Sequence, residues 1–221
     1  KDSGRLDRQY MTLLPQPYTQ SLVKKMQDKL GGDIFVDNGS TQHSFKQYAG
    51  NNTIVHIGTH AEFNNEKPEL SRLIFSKNTD SSASNNSLFL YDIYNCNINT
   101  DLAILTACES GKPGYEDGEG MVSLAHAFNY AGSKSILTSL WQADEQSASF
   151  ITEKFIENLA AKIPAGEALQ QAKLAYLQQA DGRMKSPVYW AGIVLMGDAG
   201  TVMLAPNNSN AKWFWLAGLL A

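Results

Sequence analysis

Short apolar runs that alternate with amphipathic segments constrain the fold of this 221-residue chain more than any other feature. Apolar runs of this length match buried strands, whereas apolar residues at three- and four-residue spacing indicate helices. Strands are predicted at 34–36, 53–58, 102–106, 134–140 and 188–196, and helices at 19–30, 41–48, 144–162, 165–178 and from about residue 120. Because strands and helices alternate, we expect an α/β fold with a mostly parallel central sheet and helices on both faces.

Composition and charge narrow the class of function. The chain is 43% hydrophobic and 18% charged, which suits one domain with a sizeable core. Its net charge is −4 and its longest basic run is the pair Lys24-Lys25, so nucleic-acid binding is not expected. The two cysteines, Cys96 and Cys108, are too few for a disulfide scaffold. A reducing, cytoplasmic location is therefore predicted.

The two ends of the chain differ from its middle. Residues 1–12 are interpreted as a linker or the end of a preceding domain, and residues 13–205 as the folded domain. Within residues 206–221 a polar stretch precedes Lys212, two tryptophans and further apolar residues. This order is typical of a membrane helix at its interfacial entry. It predicts the start of a membrane-anchoring helix that tethers the domain to the inner face of a membrane. The alternative is a C-terminal segment packed against the domain.

Two of the predicted strands end in residues that are capable of nucleophilic chemistry. The first strand leads into Gly58-Thr59-His60, and the second leads into Thr106-Ala107-Cys108. Functional sites of open α/β sheets gather beyond the carboxyl ends of the strands. If the two strands are parallel neighbours, His60 and Cys108 lie at one edge, where an imidazole can generate the reactive thiolate. The alternative is structural, because a buried Cys often serves only as a small apolar residue.

Other chemistries fit the residue pattern less well. His56 lies inside an apolar run and is predicted to be packed in the core. A zinc site built from His56, His60 and Cys108 would also lack an evident fourth ligand. The acidic cluster between Glu116 and Gly120 has neither the Lys of a phosphate-binding loop nor the regular oxygen spacing of a calcium loop. No metal site is predicted.

Five motifs, in order along the chain, carry a resemblance to a known family. They are His56-Ile-Gly-Thr-His60-Ala61, Leu105-Thr-Ala-Cys108-Glu-Ser-Gly111, the segment from Gly118 to Phe128, Ser135-Ile-Leu-Thr-Ser139-Leu-Trp141, and Pro187-Val-Tyr-Trp190-Ala-Gly. Together they resemble the CHAT domain, a caspase-related family that often accompanies tetratricopeptide repeats. In caspases the catalytic His lies about 50 residues before the Cys, and here the separation is 108 − 60 = 48. The resemblance extends from about residue 13 to residue 198.

The resemblance implies a caspase-like three-layer fold and a cysteine endopeptidase that needs no cofactor. It implies that Cys108 is the nucleophile, that the intermediate is a thioacyl enzyme and that His60 transfers the protons. The backbone N–H groups of Cys108 and Ala61 are implied as the oxyanion donors. The family usually has Gly after the catalytic His, so Ala61 departs from the pattern, and a Cβ disfavours a positive φ there.

The resemblance also implies where the substrate binds. A protein or peptide substrate is expected to lie extended beside Ser139, Leu140 and Trp141 and to pair with their backbone. Asp144 has two interpretations, as a specificity residue that favours a basic side chain before the scissile bond or as the N-cap of the following helix. A neighbouring domain or partner protein is the expected regulator. The alternative function is a catalytically inactive caspase-like scaffold or partner-binding module.

Overall fold

The six-stranded sheet at the centre of the structure has the predicted α/β character. The computed structural model describes residues 15–50, 52–64, 66–76, 86–106, 114–116, 120–202, 204 and 213–217. The sheet consists of β1 (Asp33–Val36), β2 (Ile54–Gly58), β6 (Thr100–Leu105), β9 (Ser133–Ser139), β10 (Ile193–Gly197) and β11 (Trp213–Ala217). Its spatial order is β1-β11-β2-β6-β9-β10, and every neighbouring pair is parallel except β9 with β10.

Helices cover both faces of this sheet, so the fold is the three-layer, caspase-like α/β arrangement. They are α1 (Pro17–Leu30), α2 (Gln42–Tyr48), α3 (Leu90–Tyr94), α4 (Leu124–Tyr130), α5 (Glu145–Ala160) and α6 (Ala165–Gln179). Side chains of a strand alternate between the two faces. Accordingly, Ile54 packs in the core beneath α1, α5 and α6, while its neighbour Val55 packs in the core beneath α2, α3 and α4.

Two small antiparallel sheets flank the central one. The first contains β3 (His60–Glu62), β4 (Arg72–Ile74) and β5 (Ser87–Phe89), and the second is the hairpin of β7 (Gly114–Glu116) and β8 (Gly120–Val122). The helix expected from about residue 120 therefore begins later. Ser123 is its N-cap and accepts a hydrogen bond from the His126 N–H, so helix α4 starts at Leu124. A Ser at this position satisfies one of the unpaired N–H groups of the first helical turn.

The C-terminal apolar run adopts a different structure from the one expected. Residues 213–217 form β11, which is fully buried and pairs with β1 on one side and β2 on the other. The prediction that this run starts a helix is wrong for these five residues, and the alternative of a segment packed into the domain describes them. Among the described residues, no helix is sufficiently long and apolar for a membrane crossing. Membrane attachment stays a prediction.

Candidate active site

The carboxyl ends of β2 and β6 form the centre of the candidate site. The two strands are parallel neighbours in which Ile57 lies opposite Leu105. Just beyond this pair, the Thr106 N–H donates a hydrogen bond of 3.1 Å to the Ile57 carbonyl oxygen. The predicted juxtaposition of the two strand ends is therefore confirmed, and the backbone beyond each end leaves the sheet from adjacent points.

The backbone turns out of the main sheet directly after Gly58. Thr59 is buried and its hydroxyl donates to the Ile74 carbonyl oxygen, which ties this turn to β4. His60 is the first residue of β3 and lies opposite Ile74 in the antiparallel pair. Its side chain is half-buried. A histidine at this position lies at the edge of the sheet instead of within its apolar core.

Cys108 lies outside the described residues, which stop at Thr106 on this side of the site. Two residues of extended chain span at most about 7 Å. Thr106 is fixed to the neighbouring strand β2 by its hydrogen bond to Ile57, and Cys108 is the second residue after Thr106. His60 is likewise two residues beyond Gly58. The described backbone thus carries the two segments to one edge, and the thiol–imidazole pairing stays a prediction.

Ala61 has a backbone conformation that suits an alanine. It lies in the middle of β3, opposite Leu73. Among the described non-glycine residues, positive φ angles occur at Asp37, Asn99 and Lys162, and Ala61 is not one of them. The departure from the family's usual glycine therefore introduces no left-handed backbone strain in this structure. Its N–H as an oxyanion donor stays a prediction.

His56 is fully buried in β2, as its position in an apolar run predicts. Its Nε2 lies 3.1 Å from the Thr106 hydroxyl oxygen, and its ring meets Trp215 edge to face with the centroids 5.9 Å apart. Burial lowers the pKa of His56 from 6.5 to about 3, because desolvation disfavours the charged imidazolium. His56 is therefore neutral near pH 7 and has no access to a substrate.

The predicted substrate residues lie at the end of β9. The Leu140 N–H donates to the Gly192 carbonyl oxygen at 3.0 Å, and Ser139 lies opposite Ile193 of β10. Hydrogen-bonding directions alternate along an antiparallel strand, so the backbone groups of Ser139 point away from β10, toward the side where β6 ends. The Ser139 hydroxyl is buried and donates to the Trp141 carbonyl oxygen at 2.6 Å.

Trp141 and Asp144 follow β9 at the same edge. The Trp141 ring covers Gly192 and its indole N–H donates to the Val188 carbonyl oxygen at 2.8 Å, while 36% of the residue remains exposed. Trp141 is therefore a fixed surface residue. The Asp144 carboxylate accepts hydrogen bonds from the N–H and the hydroxyl of Ser147, at 2.9 and 2.7 Å. Its interpretation as the N-cap of α5 is confirmed, and its role in specificity stays a prediction.

Two threonines at the site are not predictable from the sequence. Thr106 is hydrogen-bonded to the Ile57 carbonyl oxygen and to the His56 side chain. Thr19 of α1 packs so closely against Gly58 that any side chain at position 58 would collide with Thr19. The Thr19 N–H donates to the Glu145 carboxylate at 2.9 Å, which joins the starts of α1 and α5. The strand register and the helix placement bring these residues together, and no local sequence pattern encodes either.

The described part of the chain contains no group of three His, Cys, Asp or Glu side chains that could hold a metal ion. The fold and the edge where β2 and β6 end define an α/β domain of the caspase-like type. A family model, the CHAT domain, matches residues 1–198. The chain belongs to the CHAT domain family, which is caspase-like and related to peptidases. No curated protein matches the chain.

Proposed function

We propose that this domain is a cysteine endopeptidase in which Cys108 attacks and His60 transfers protons. One observation carries the proposal: Thr106 and Ile57 are hydrogen-bonded at the ends of β6 and β2. The two segments that bear the candidate nucleophile and base therefore start from one point of the sheet. Membership of a caspase-like, peptidase-related family supports the same chemistry.

The proposed reaction proceeds in two stages. His60 accepts the Cys108 thiol proton, and the thiolate attacks the scissile carbonyl carbon to give a tetrahedral oxyanion, which the N–H groups of Cys108 and Ala61 stabilise. Collapse of this intermediate breaks the C–N bond while His60 returns its proton to the leaving amine. Water, deprotonated by His60, then hydrolyses the thioacyl enzyme and regenerates the thiol. No cofactor takes part in either stage.

The proposed substrate is an extended segment of a protein. The backbone groups of Ser139 point to the side of β9 where β6 ends, so a substrate strand entering there would extend the sheet beside the proposed nucleophile. Trp141 and the exposed Asp144 follow at the same edge and form the proposed wall of the groove. The negative charge of Asp144 favours a basic residue in the substrate.

Cleavage of a peptide library tests the proposal. The library has every residue before the scissile bond varied, and mass spectrometry identifies the cleaved peptides. We expect Cys108→Ala to abolish cleavage and His60→Ala to reduce it by at least about 10³-fold, with unchanged circular dichroism. The matched controls are Cys96→Ala and His43→Ala, which change a half-buried thiol and an exposed imidazole elsewhere. They should retain wild-type rates.

A thiol-reactive peptide probe separates the peptidase from an inactive scaffold. The probe labels an active peptidase at Cys108, and this labelling decreases when His60 is replaced. A folded wild-type protein that neither cleaves peptides nor is labelled in this way is a scaffold, which would refute the proposed function.

Because an unregulated endopeptidase endangers its own cell, a neighbouring domain or a bound partner is the proposed regulator. Equal cleavage rates for the isolated domain and the longer protein would contradict that regulation.

A further inference from the structure

His56 is a polar side chain placed inside the apolar core of the sheet. It has no exposed surface, and Trp215 of β11 lies opposite it on one side of β2. Its Nε2 is 3.1 Å from the Thr106 hydroxyl oxygen, while its Nδ1 has no hydrogen-bond partner among the described residues. A buried polar atom without a partner destabilises a fold, so an apolar residue would pack here at lower cost.

The hydrogen bond to Thr106 gives His56 a role that an apolar residue lacks. Thr106 is attached to β2 twice, through its backbone N–H to the Ile57 carbonyl oxygen and through its hydroxyl to His56. One hydrogen bond fixes a distance but leaves the residue able to pivot about it, whereas two bonds from different atoms also fix its orientation. The second bond therefore restrains the orientation of Thr106 as well as its distance from β2.

His56 and Thr106 lie on the two neighbouring strands that carry the proposed dyad, with His56 opposite Ile104, two residues before Thr106. His56 precedes His60 by four residues, and Thr106 precedes Cys108 by two. We infer that His56 and Thr106 are positioning residues whose hydrogen bond fixes the separation and orientation of His60 and Cys108. The inference rests on the proposed function. Neither residue takes part in the chemistry, since His56 is enclosed and Thr106 acts through the backbone that follows it.

Substitutions at Thr106 test the inference with little change in volume. Thr106→Val removes the hydroxyl and keeps the shape, while Thr106→Ser keeps the hydroxyl. The control is Thr100→Val at the opposite end of β6, where the Thr100 hydroxyl donates to the Thr53 carbonyl oxygen at 2.9 Å. A misplacement of about 1 Å costs on the order of 10²-fold in rate. For Thr106→Val we expect kcat to fall about 10- to 100-fold with KM within about twofold.

Thr106→Ser should recover most of the lost kcat. Thr100→Val should change kcat by less than about twofold, although it removes a buried hydroxyl that donates to the carbonyl oxygens of Thr53 and Leu102. In a His56→Leu background, Thr106→Val should cause no further loss, because the partner is already absent. Wild-type kcat in Thr106→Val would overturn the inference. So would a Thr106→Ser variant as slow as Thr106→Val, or a Thr100→Val variant that loses kcat equally.

NMR spectroscopy keeps this test separate from the test of the proposed function. If the wild-type protein proves to have no peptidase activity, the proposed function fails while the positioning is still measurable. Thr106→Val should shift the imidazole resonances of His56 and His60 and the amide resonance of Cys108, whereas Thr106→Ser and Thr100→Val should leave those of His60 and Cys108 unchanged. Unshifted His60 and Cys108 resonances in Thr106→Val would refute the positioning by itself.

Discussion

Gly58 occupies the most confined backbone position at the candidate site. A Cβ built on Gly58 would lie closer than 3.0 Å to the Thr19 methyl carbon, a distance that real Cβ atoms essentially never show, and 3.1 Å from the Thr106 hydroxyl oxygen. Gly58 does not have a positive φ. An alanine at this position is therefore opposed by collision alone, and we expect Gly58→Ala to destabilise the domain.

The neighbours of Gly58 leave little room for relaxation. Thr19 is 2% exposed, and its backbone N–H is held by the Glu145 carboxylate, so helix α1 cannot move outward without breaking that bond. Forcing one extra carbon into a packed core costs about 1–3 kcal/mol. With the start of α1 fixed in this way, we expect the upper half of that range, about 2–3 kcal/mol. For a domain of this size the melting temperature should fall by about 4–12 °C.

Urea unfolding followed by tryptophan fluorescence measures the change in the free energy of unfolding. Thr19→Ser removes the obstructing methyl group and costs about 1 kcal/mol by itself. In the double variant we expect it to restore at least about 1 kcal/mol of the Gly58→Ala loss. Gly39→Ala is the matched control, since a Cβ there meets nothing within 4 Å. A neutral Gly58→Ala, or an additive double variant, would contradict the collision argument.

Three further perturbations address the core, the cap and a buried histidine. Trp215→Ala should lower the free energy of unfolding, followed in a thermal melt, by about 3–5 kcal/mol, because this strand residue is fully buried and supports the sheet. A decrease of less than about 1 kcal/mol would mean that β11 does not stabilise the domain. Asp144→Ala should lower the free energy of unfolding by about 1 kcal/mol and Asp144→Asn by much less, since Asn also caps helices. An equal decrease in both variants would exclude capping. An altered cleavage profile in Asp144→Asn would establish a role of Asp144 in specificity. The pKa of His56 is about 3 in the folded protein and 6.5 as a free side chain, so the unfolded chain binds the additional proton and stability declines as the pH falls below about 6.5. Between pH 7.5 and 5.5 the free energy of unfolding should fall by about 1.4 kcal/mol through His56. Urea unfolding at the two pH values should show a smaller decrease for a His56→Gln variant, and identical decreases would exclude His56 as the cause.

The parts of the fold that local patterns encode were predictable from sequence. The apolar runs that became β2, β6 and β9 were located to within about two residues, because a buried parallel strand needs only a short apolar segment between polar ends. The same pattern distinguished the buried His56 from His60, since Gly58 separates a residue inside the strand from one beyond it. The antiparallel direction of β10 was not predictable, because direction depends on where the connecting chain runs.

The C-terminal strand shows where local patterns fail. Five apolar residues from Trp213 to Ala217 fit a strand or the start of a helix equally well, since both bury such residues completely. Pairing decides between the two structures. The backbone of β11 is paired on both sides, with β1 and β2, and the Trp215 indole N–H donates to the Gly31 carbonyl oxygen at 2.9 Å. These partners lie more than 150 residues away in sequence, so no window around Trp213 reveals them.

The contacts around the ends of β2 and β6 also determine which experiments can separate a peptidase from a scaffold. Thr106 is bonded to Ile57 and His56, and Gly58 is packed against Thr19, so the sheet itself fixes the geometry of this edge. A scaffold of the same fold would need the same contacts, and its stability would respond in the same way to Gly58→Ala. Stability measurements therefore test the architecture alone. Only the reactivity of Cys108, measured with and without His60, distinguishes the two functions.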